Sequence, residues 1–99
     1  MRESEIETYL ANCVKAMGGE VRKVKWIGRR GAPDRIVMLP GDFDRFGEDS
    51  APSRTIWVEL KAPGEKAKPH QVREHERMRR MGQTVVVVDS MEGVDEVLA

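Results

Sequence analysis

The 99-residue sequence predicts an α/β domain in which helices flank a mixed β-sheet, in the order α-β-β-β-α-β-α. Three observations carry this. Residues 3–17 set apolar side chains three and four apart, the period of a helix. The runs 35–39, 55–60 and 84–89 are short, apolar and rich in β-branched residues, as strands are. A second helical segment, 69–81, separates the last two of these runs.

Taken in order, Ile6, Leu10, Cys13, Val14 and Met17 define the apolar face of the first helix. Ser4 and Glu7 have the spacing of a capping box, and Gly18-Gly19 ends the helix. Val21–Ile27 alternates imperfectly, but its β-branched and aromatic residues favour a strand. Gly28–Pro33 is a turn-rich loop. Arg35–Leu39 is a second strand, almost continuously apolar. Pro40–Ser53 contains Gly41, Gly47 and Pro52 with the acids Asp42, Asp44, Glu48 and Asp49 and reads as a long exposed hairpin loop, of a length that is usually functional or disordered. Thr55–Leu60 is the third strand and Ala62–Lys68 a loop. Pro69 suits the first turn of a helix that runs to about Met81 and stops at Gly82. Thr84–Asp89, four valines in a row, is expected at the centre of the sheet. Gly93–Leu98 is a short terminal helix.

A chain of this length is one domain with a small core. Lys plus Arg and Asp plus Glu are 17 each, so the formal net charge is zero. That excludes a globally basic binder, although a local basic patch remains open because recognition follows the distribution of charge. The single Cys13 excludes an intramolecular disulfide and a zinc site built on cysteine pairs, and its place on the apolar helix face suits a core residue. The polar, acidic start is unlike a targeting peptide. No apolar run approaches a membrane span, so a soluble, cytoplasmic protein is expected.

The chemistry concentrates where acids interrupt strands. Asp34 opens the second strand. In Ile56-Trp57-Val58-Glu59-Leu60-Lys61, the residues Trp57, Glu59 and Lys61 share one face, while Val58 and Leu60 take the other. A carboxylate and an ammonium on an interior strand face cost desolvation unless something offsets it. A divalent cation held by Asp34 and Glu59 would do so, and hard oxygen ligands suit Mg²⁺ or Mn²⁺. Phosphodiester hydrolysis needs a positioned water, charge neutralisation at phosphorus and help for the leaving oxygen. Lys61 stands where it could orient that water or stabilise the developing charge.

Gly31-Ala-Pro-Asp34, then Val58-Glu59-Leu60-Lys61, then Pro69-His-Gln71 resemble the VRR-NUC domain of the PD-(D/E)xK nuclease superfamily, and in particular its small stand-alone phage members. The resemblance covers residues 3–89 and implies a restriction-endonuclease-like core and a metal-dependent DNA endonuclease. It implies Asp34 and Glu59 as metal-binding acids with the Leu60 carbonyl beside them. Lys61 matches the catalytic lysine and Gln71 the glutamine of the following helix. The family site also uses an acid on the first helix. Glu3, Glu5 and Glu7 are available, and at about 100° per residue Glu3 lies closest to the face that meets the sheet, with Glu7 second. The sequence departs from the usual pattern in the 24 residues between Asp34 and Glu59, which read as an extended acidic hairpin. The resemblance further implies a homodimer that resolves branched DNA such as four-way junctions, for which Phe43 and Phe46 are candidate interface residues. A symmetric junction needs two matched cuts, which a two-fold dimer supplies.

Plainer readings exist for each residue. Asp34 after a proline can be a turn residue, Glu59 and Lys61 a solvated ion pair, Gln71 a solvated polar residue, and Glu3 a first-turn acid. His70 and His75 have no partner ligands at metal spacing, so surface or helix-packing roles are expected. Basic residues cluster in two runs. Residues 22–35 carry Arg22, Lys23, Lys25, Arg29, Arg30 and Arg35. Residues 61–80 carry Lys61, Lys66, Lys68, Arg73, Arg77, Arg79 and Arg80. Both flank the proposed site, as a phosphate track would, with Arg29, Arg30, Arg35, Lys66 and Lys68 as the DNA-binding candidates. Aromatic residues are few, so affinity is expected from phosphates and shape more than from base stacking. No nucleotide cofactor and no membrane are expected. The rival classes are a nuclease-fold DNA-binding module without activity, and an interaction protein whose acids sit in ordinary ion pairs.

Overall fold

The computed structural model describes residues 1–43 and 49–99. Helix α1 (Glu3–Ala16) is followed by strands β1 (Glu20–Lys23) and β2 (Arg35–Leu39), the short strands β3 (Asp42–Phe43) and β4 (Asp49–Ala51), strand β5 (Arg54–Leu60), helix α2 (Pro69–Arg80), strand β6 (Val85–Val88) and helix α3 (Met91–Leu98). The main sheet has the order β1-β2-β5-β6. Its first two pairings are antiparallel and the last, reached through α2, is parallel. This is the expected mixed α/β arrangement, and β3 and β4 form a small ribbon at the base of the predicted hairpin. Among the described residues no helix is long and apolar enough to cross a membrane.

Pleating sorts the strands into two faces. Val37, Leu39, Ile56, Val58, Leu60 and Val88 meet Ile6, Leu10 and Val14 of α1 and Val94 and Leu98 of α3 in one buried apolar cluster. Burial of this apolar surface is the main driving force for the fold. Ile36, Trp57, Glu59 and Val85 lie on the opposite face, the side of α2.

Four local expectations are corrected. β1 stops at Lys23, because Trp26 leaves the strand direction and donates its indole N–H to the Pro33 carbonyl at 2.8 Å. Helix α1 is capped by Arg2 without a side-chain cap bond, so Ser4 lies inside the first turn and Glu7 is recruited by Arg35 instead. β6 is an edge strand, since no strand among the described residues pairs beyond it. Its valines reflect cover by α3 and α2 on its two faces, and Val87 remains partly exposed. Helix α3 starts two residues early, because the Ser90 hydroxyl accepts the Gly93 N–H at 2.9 Å.

Candidate active site

The site forms where β2 begins and β5 ends. The two strands pair from Leu39↔Arg54 to Arg35↔Val58. One residue beyond this last pair come Asp34 and Glu59, which the pleat sets on the α2 side. The Asp34 backbone is fixed from two directions: the Val24 N–H donates to its carbonyl at 2.9 Å, and Trp26 holds the preceding Pro33 carbonyl. The Asp34 carboxylate stays 58% exposed and meets the Arg35 guanidinium at 2.9 Å.

Glu59 is buried. Burial and the neighbouring Asp34 carboxylate push its pKa up to about 7, against opposing pulls from Lys61 and Arg35, while Glu3 adds to the rise. Glu3 is therefore the first-helix acid whose charge reaches Glu59. Glu5 faces Arg2, and Glu7 binds Arg35 at 3.0 Å.

Beneath Glu59 lies a residue whose part in the site sequence reasoning missed. His75 of α2 is fully buried, with Nε2 3.3 Å from Glu59 Oε1. The Gly31 backbone hydrogen-bonds the same ring, while burial holds the His75 pKa below its ordinary value. Of the two roles expected for His75, surface and helix packing, the second is observed. Burial pushes Glu59 up and His75 down, so it favours the neutral form of each group at this contact. Gly31 has φ +87°, and a Cβ there would stand 2.7 Å from the His70 carbonyl oxygen. Only glycine lets the 28–33 loop lie against the first turn of α2.

Lys61 follows on the same face, half-buried. Its backbone N–H donates to the Val88 carbonyl at 2.9 Å, as that of Trp57 does to Thr84 at 2.8 Å. In a parallel ladder alternate residues bond the same neighbour, so the Leu60 backbone points away from β6, toward the Asp34 side, beyond the end of the β2 pairing. The Asp34 and Glu59 carboxylates and the Leu60 carbonyl are the hard oxygen set that could hold a small divalent cation. Among the described residues no group of three or more His, Cys, Asp or Glu side chains is gathered into a cage. Mg²⁺ commonly takes one or two carboxylates and completes its shell with water and phosphate. A buried carboxylate kept from ionising by its surroundings is the group that such a cation would relieve.

The remaining predicted residues divide. Gln71 stands in the first turn of α2, where its side-chain oxygen accepts the Lys68 N–H at 2.8 Å, so here it caps the helix. Arg30, Lys68, Arg73 and Lys61 all bear electrostatically on His70. Burial first, then these four cations, lower its pKa. A cluster of positive charge thus surrounds the start of α2, and Arg73 belongs to it as well as the residues anticipated. Lys66 is exposed on the loop before α2. Arg29 meets the buried Glu74 at 3.5 Å, shared with Arg77 at 2.7 Å. Arg35 departs from expectation: it is 11% exposed and held by Glu7 and Asp34, so it balances the acids of the site instead of facing solvent as part of a phosphate track. Phe46 and the side chain of Phe43 lie outside the described residues.

Known proteins resemble this chain in sequence and fold. The protein "Putative nuclease p44" of Acyrthosiphon pisum secondary endosymbiont phage 1 is 42% identical over 92 residues, 93% of this chain and 87% of that one. A solved structure described as "VRR_NUC domain" superposes with a TM-score of 0.77 at 40% identity, covering 97% of this chain and 92% of its own. A second, "VRR_NUC domain protein", has a TM-score of 0.65 at 18% identity over 99% and 85% of the two chains, a likeness of fold. No family model matches. With such relatives over nearly its whole length, and with acids and a lysine at the mouth of the same mixed sheet, the chain belongs to the VRR-NUC family of nucleases.

Proposed function

We propose that the protein is a Mg²⁺- or Mn²⁺-dependent endonuclease that cuts phosphodiester bonds in branched DNA. The observation that carries this is the convergence of Asp34, Glu59 and Lys61 at one end of the sheet, beside the cations that surround the start of α2. Asp34, Glu59 and the Leu60 carbonyl would hold the metal, which when bound polarises a phosphate and makes water a stronger nucleophile. The chain supplies the rest. Glu59, supported by His75, fixes one side of the site, and Glu3 adds a carboxylate at its rim. Lys61 is placed to orient the attacking water and to stabilise negative charge as it grows on phosphorus. Gln71 stands in the first turn of α2, and Arg30, Lys68 and Arg73 offer partners to neighbouring phosphates. Binding of this kind reads the backbone, so it is salt-dependent and nearly indifferent to sequence.

One such domain holds one site. Two matched cuts in a symmetric junction call for a two-fold homodimer, and the small core of so short a chain would gain from a buried partner surface. A binding module without activity would have no use for Lys61 beside two acids. Incubation of the purified protein with linear, flapped and four-way DNA, with and without Mg²⁺ or Mn²⁺, tests the reading. Cleavage of branched DNA that needs the metal and is lost in Asp34→Ala, Glu59→Ala and Lys61→Ala is expected. Metal-independent cleavage, or full activity in Lys61→Ala, would overturn it. Light scattering across protein concentrations tests the dimer.

A further inference from the structure

We propose that the cavity between the Trp26–Trp57 pair and the C-terminal half of α2 receives one unstacked nucleobase of the DNA, next to the phosphate that is cut. This rests on the nuclease reading and specifies which feature of branched DNA the domain recognises. Trp57 shares its strand face with Glu59 two residues on, a separation of about 7 Å. At about 3.4 Å per nucleotide of a DNA strand, that is one or two nucleotides from the site. The Trp26 ring meets Trp57 with centroids 5.2 Å apart and planes tilted by 49°. Both indole N–H groups are already engaged, Trp26 with the Pro33 carbonyl and Trp57 with the Gln83 side-chain oxygen at 3.0 Å. The rings are thus held in place, and their apolar surfaces form one wall of a cavity of about 250 Å³ whose other wall is Met78 and Met81.

The surroundings fit a nucleotide. Met81, one of the lining residues, is 67% exposed, so the apolar wall opens to solvent. Arg29 also lines the cavity, and Arg77 stands beside it on Glu74. Glu74 itself is buried and paired with Arg29 and Arg77. Glu76 falls about 200° around α2 from Glu74, away from the cavity. A base against the indoles and thioethers would bring its phosphates near these guanidinium groups. A positively charged groove with aromatic platforms is how proteins bind single-stranded nucleic acid without reading sequence. A paired base reaches such a seat only at the cost of unstacking, whereas a nucleotide at a branch or flap is already free.

The chain has two tryptophans, both at this cavity, so intrinsic fluorescence reports on it directly. The Lys61→Ala protein in Mg²⁺ is titrated with three duplexes: one carrying a flap with thymine at the branch nucleotide, the same flap with an abasic residue there, and a fully paired duplex. Tryptophan quenching by the thymine flap is expected, with the abasic flap bound about 5- to 150-fold more weakly and quenching little. Met81→Ala, a change at an exposed residue, should narrow that gap without altering affinity for the abasic flap. Equal affinity and equal quenching by the two flaps would overturn the base seat and leave the nuclease reading intact. Failure of all three DNAs to bind would overturn both. A concentration-dependent blue shift without DNA, and no quenching with it, would assign the patch to a second copy of the chain and overturn the base seat.

Discussion

The two faces of the sheet are made from alternate residues of the same strands, yet they are different materials. The buried core of the α1/α3 face is hydrocarbon, from Ile6, Leu10 and Val14 to Val58, Leu60 and Val94. The α2 face buries Glu59, Glu74 and His75 and keeps two tryptophans at its edge. Hydrocarbon packing is favourable wherever it is dry, whereas a buried carboxylate opposes folding unless it is paired or protonated. The comparison shows a division of labour: one face supplies the stability that lets the other hold groups in states that water would not favour.

One substitution on each face should separate them most sharply. Lys61→Ala should lower the single-turnover cleavage rate by about 10²–10³-fold, with the thermal midpoint almost unchanged. Leu10→Ala should cost about 2–5 kcal/mol of stability and leave the cleavage rate per folded molecule as it was. A Leu10→Ala protein that melts normally but cuts slowly would break the division.

Glu59 makes the same point through pH. Its folded pKa of about 7 lies above the ordinary 4.5, so the folded state holds this proton more tightly than the unfolded chain does. Its contribution is fully present below about pH 4.5 and is lost as pH rises through 7, above which the metal-free fold carries a buried anion. Glu59→Gln should therefore stabilise the metal-free protein at pH 8 by about 1–3 kcal/mol and change little at pH 4. Urea melts at the two pH values check this. In the presence of a divalent cation, cleavage should fall at a pH below 7, and the fall should move lower as the cation concentration rises, because the cation and the proton compete for the same carboxylate.

Smaller effects sharpen the boundary. His75→Ala should weaken Mn²⁺ binding by about 10- to 100-fold, measured by calorimetry, with Arg29 and Arg77 untouched. Tyr9→Phe removes the exposed 2.7 Å bond from Tyr9 to Asp95 that ties α1 to α3. It should cost no more than about 1 kcal/mol in a thermal melt and leave cleavage alone.

The residues that the sequence makes legible are those whose signal is local. The alternation through Trp57, Glu59 and Lys61 predicts which face each takes, and Pro69 predicts the start of α2. Asp34 and Glu59 stand out as acids beside apolar runs. What is hidden depends on partners distant in the chain. His75 meets Glu59 sixteen positions away, and Arg35 meets Glu7 twenty-eight away, so one reads as a bystander and the other as part of a basic surface. A local trace of His75 does exist: Gln71, His75 and Met78 recur at helical spacing, which puts polar groups on the stripe of α2 that faces the sheet. The Val85–Val88 run shows the opposite failure. Its composition says buried, but a run covered on both faces has the same composition at the edge of a sheet as at its centre.

The central claim is that Asp34 and Glu59 hold a metal ion that Lys61 helps put to use. Titration of Mn²⁺ into the wild-type, Glu59→Gln and Lys61→Ala proteins at pH 8, followed by cleavage of four-way DNA by the same samples, tests it most directly. The account predicts Mn²⁺ binding by the wild-type and Lys61→Ala proteins, little or none by Glu59→Gln, and cleavage by the wild type alone. Wild-type affinity in Glu59→Gln, or wild-type cleavage in Lys61→Ala, would contradict it.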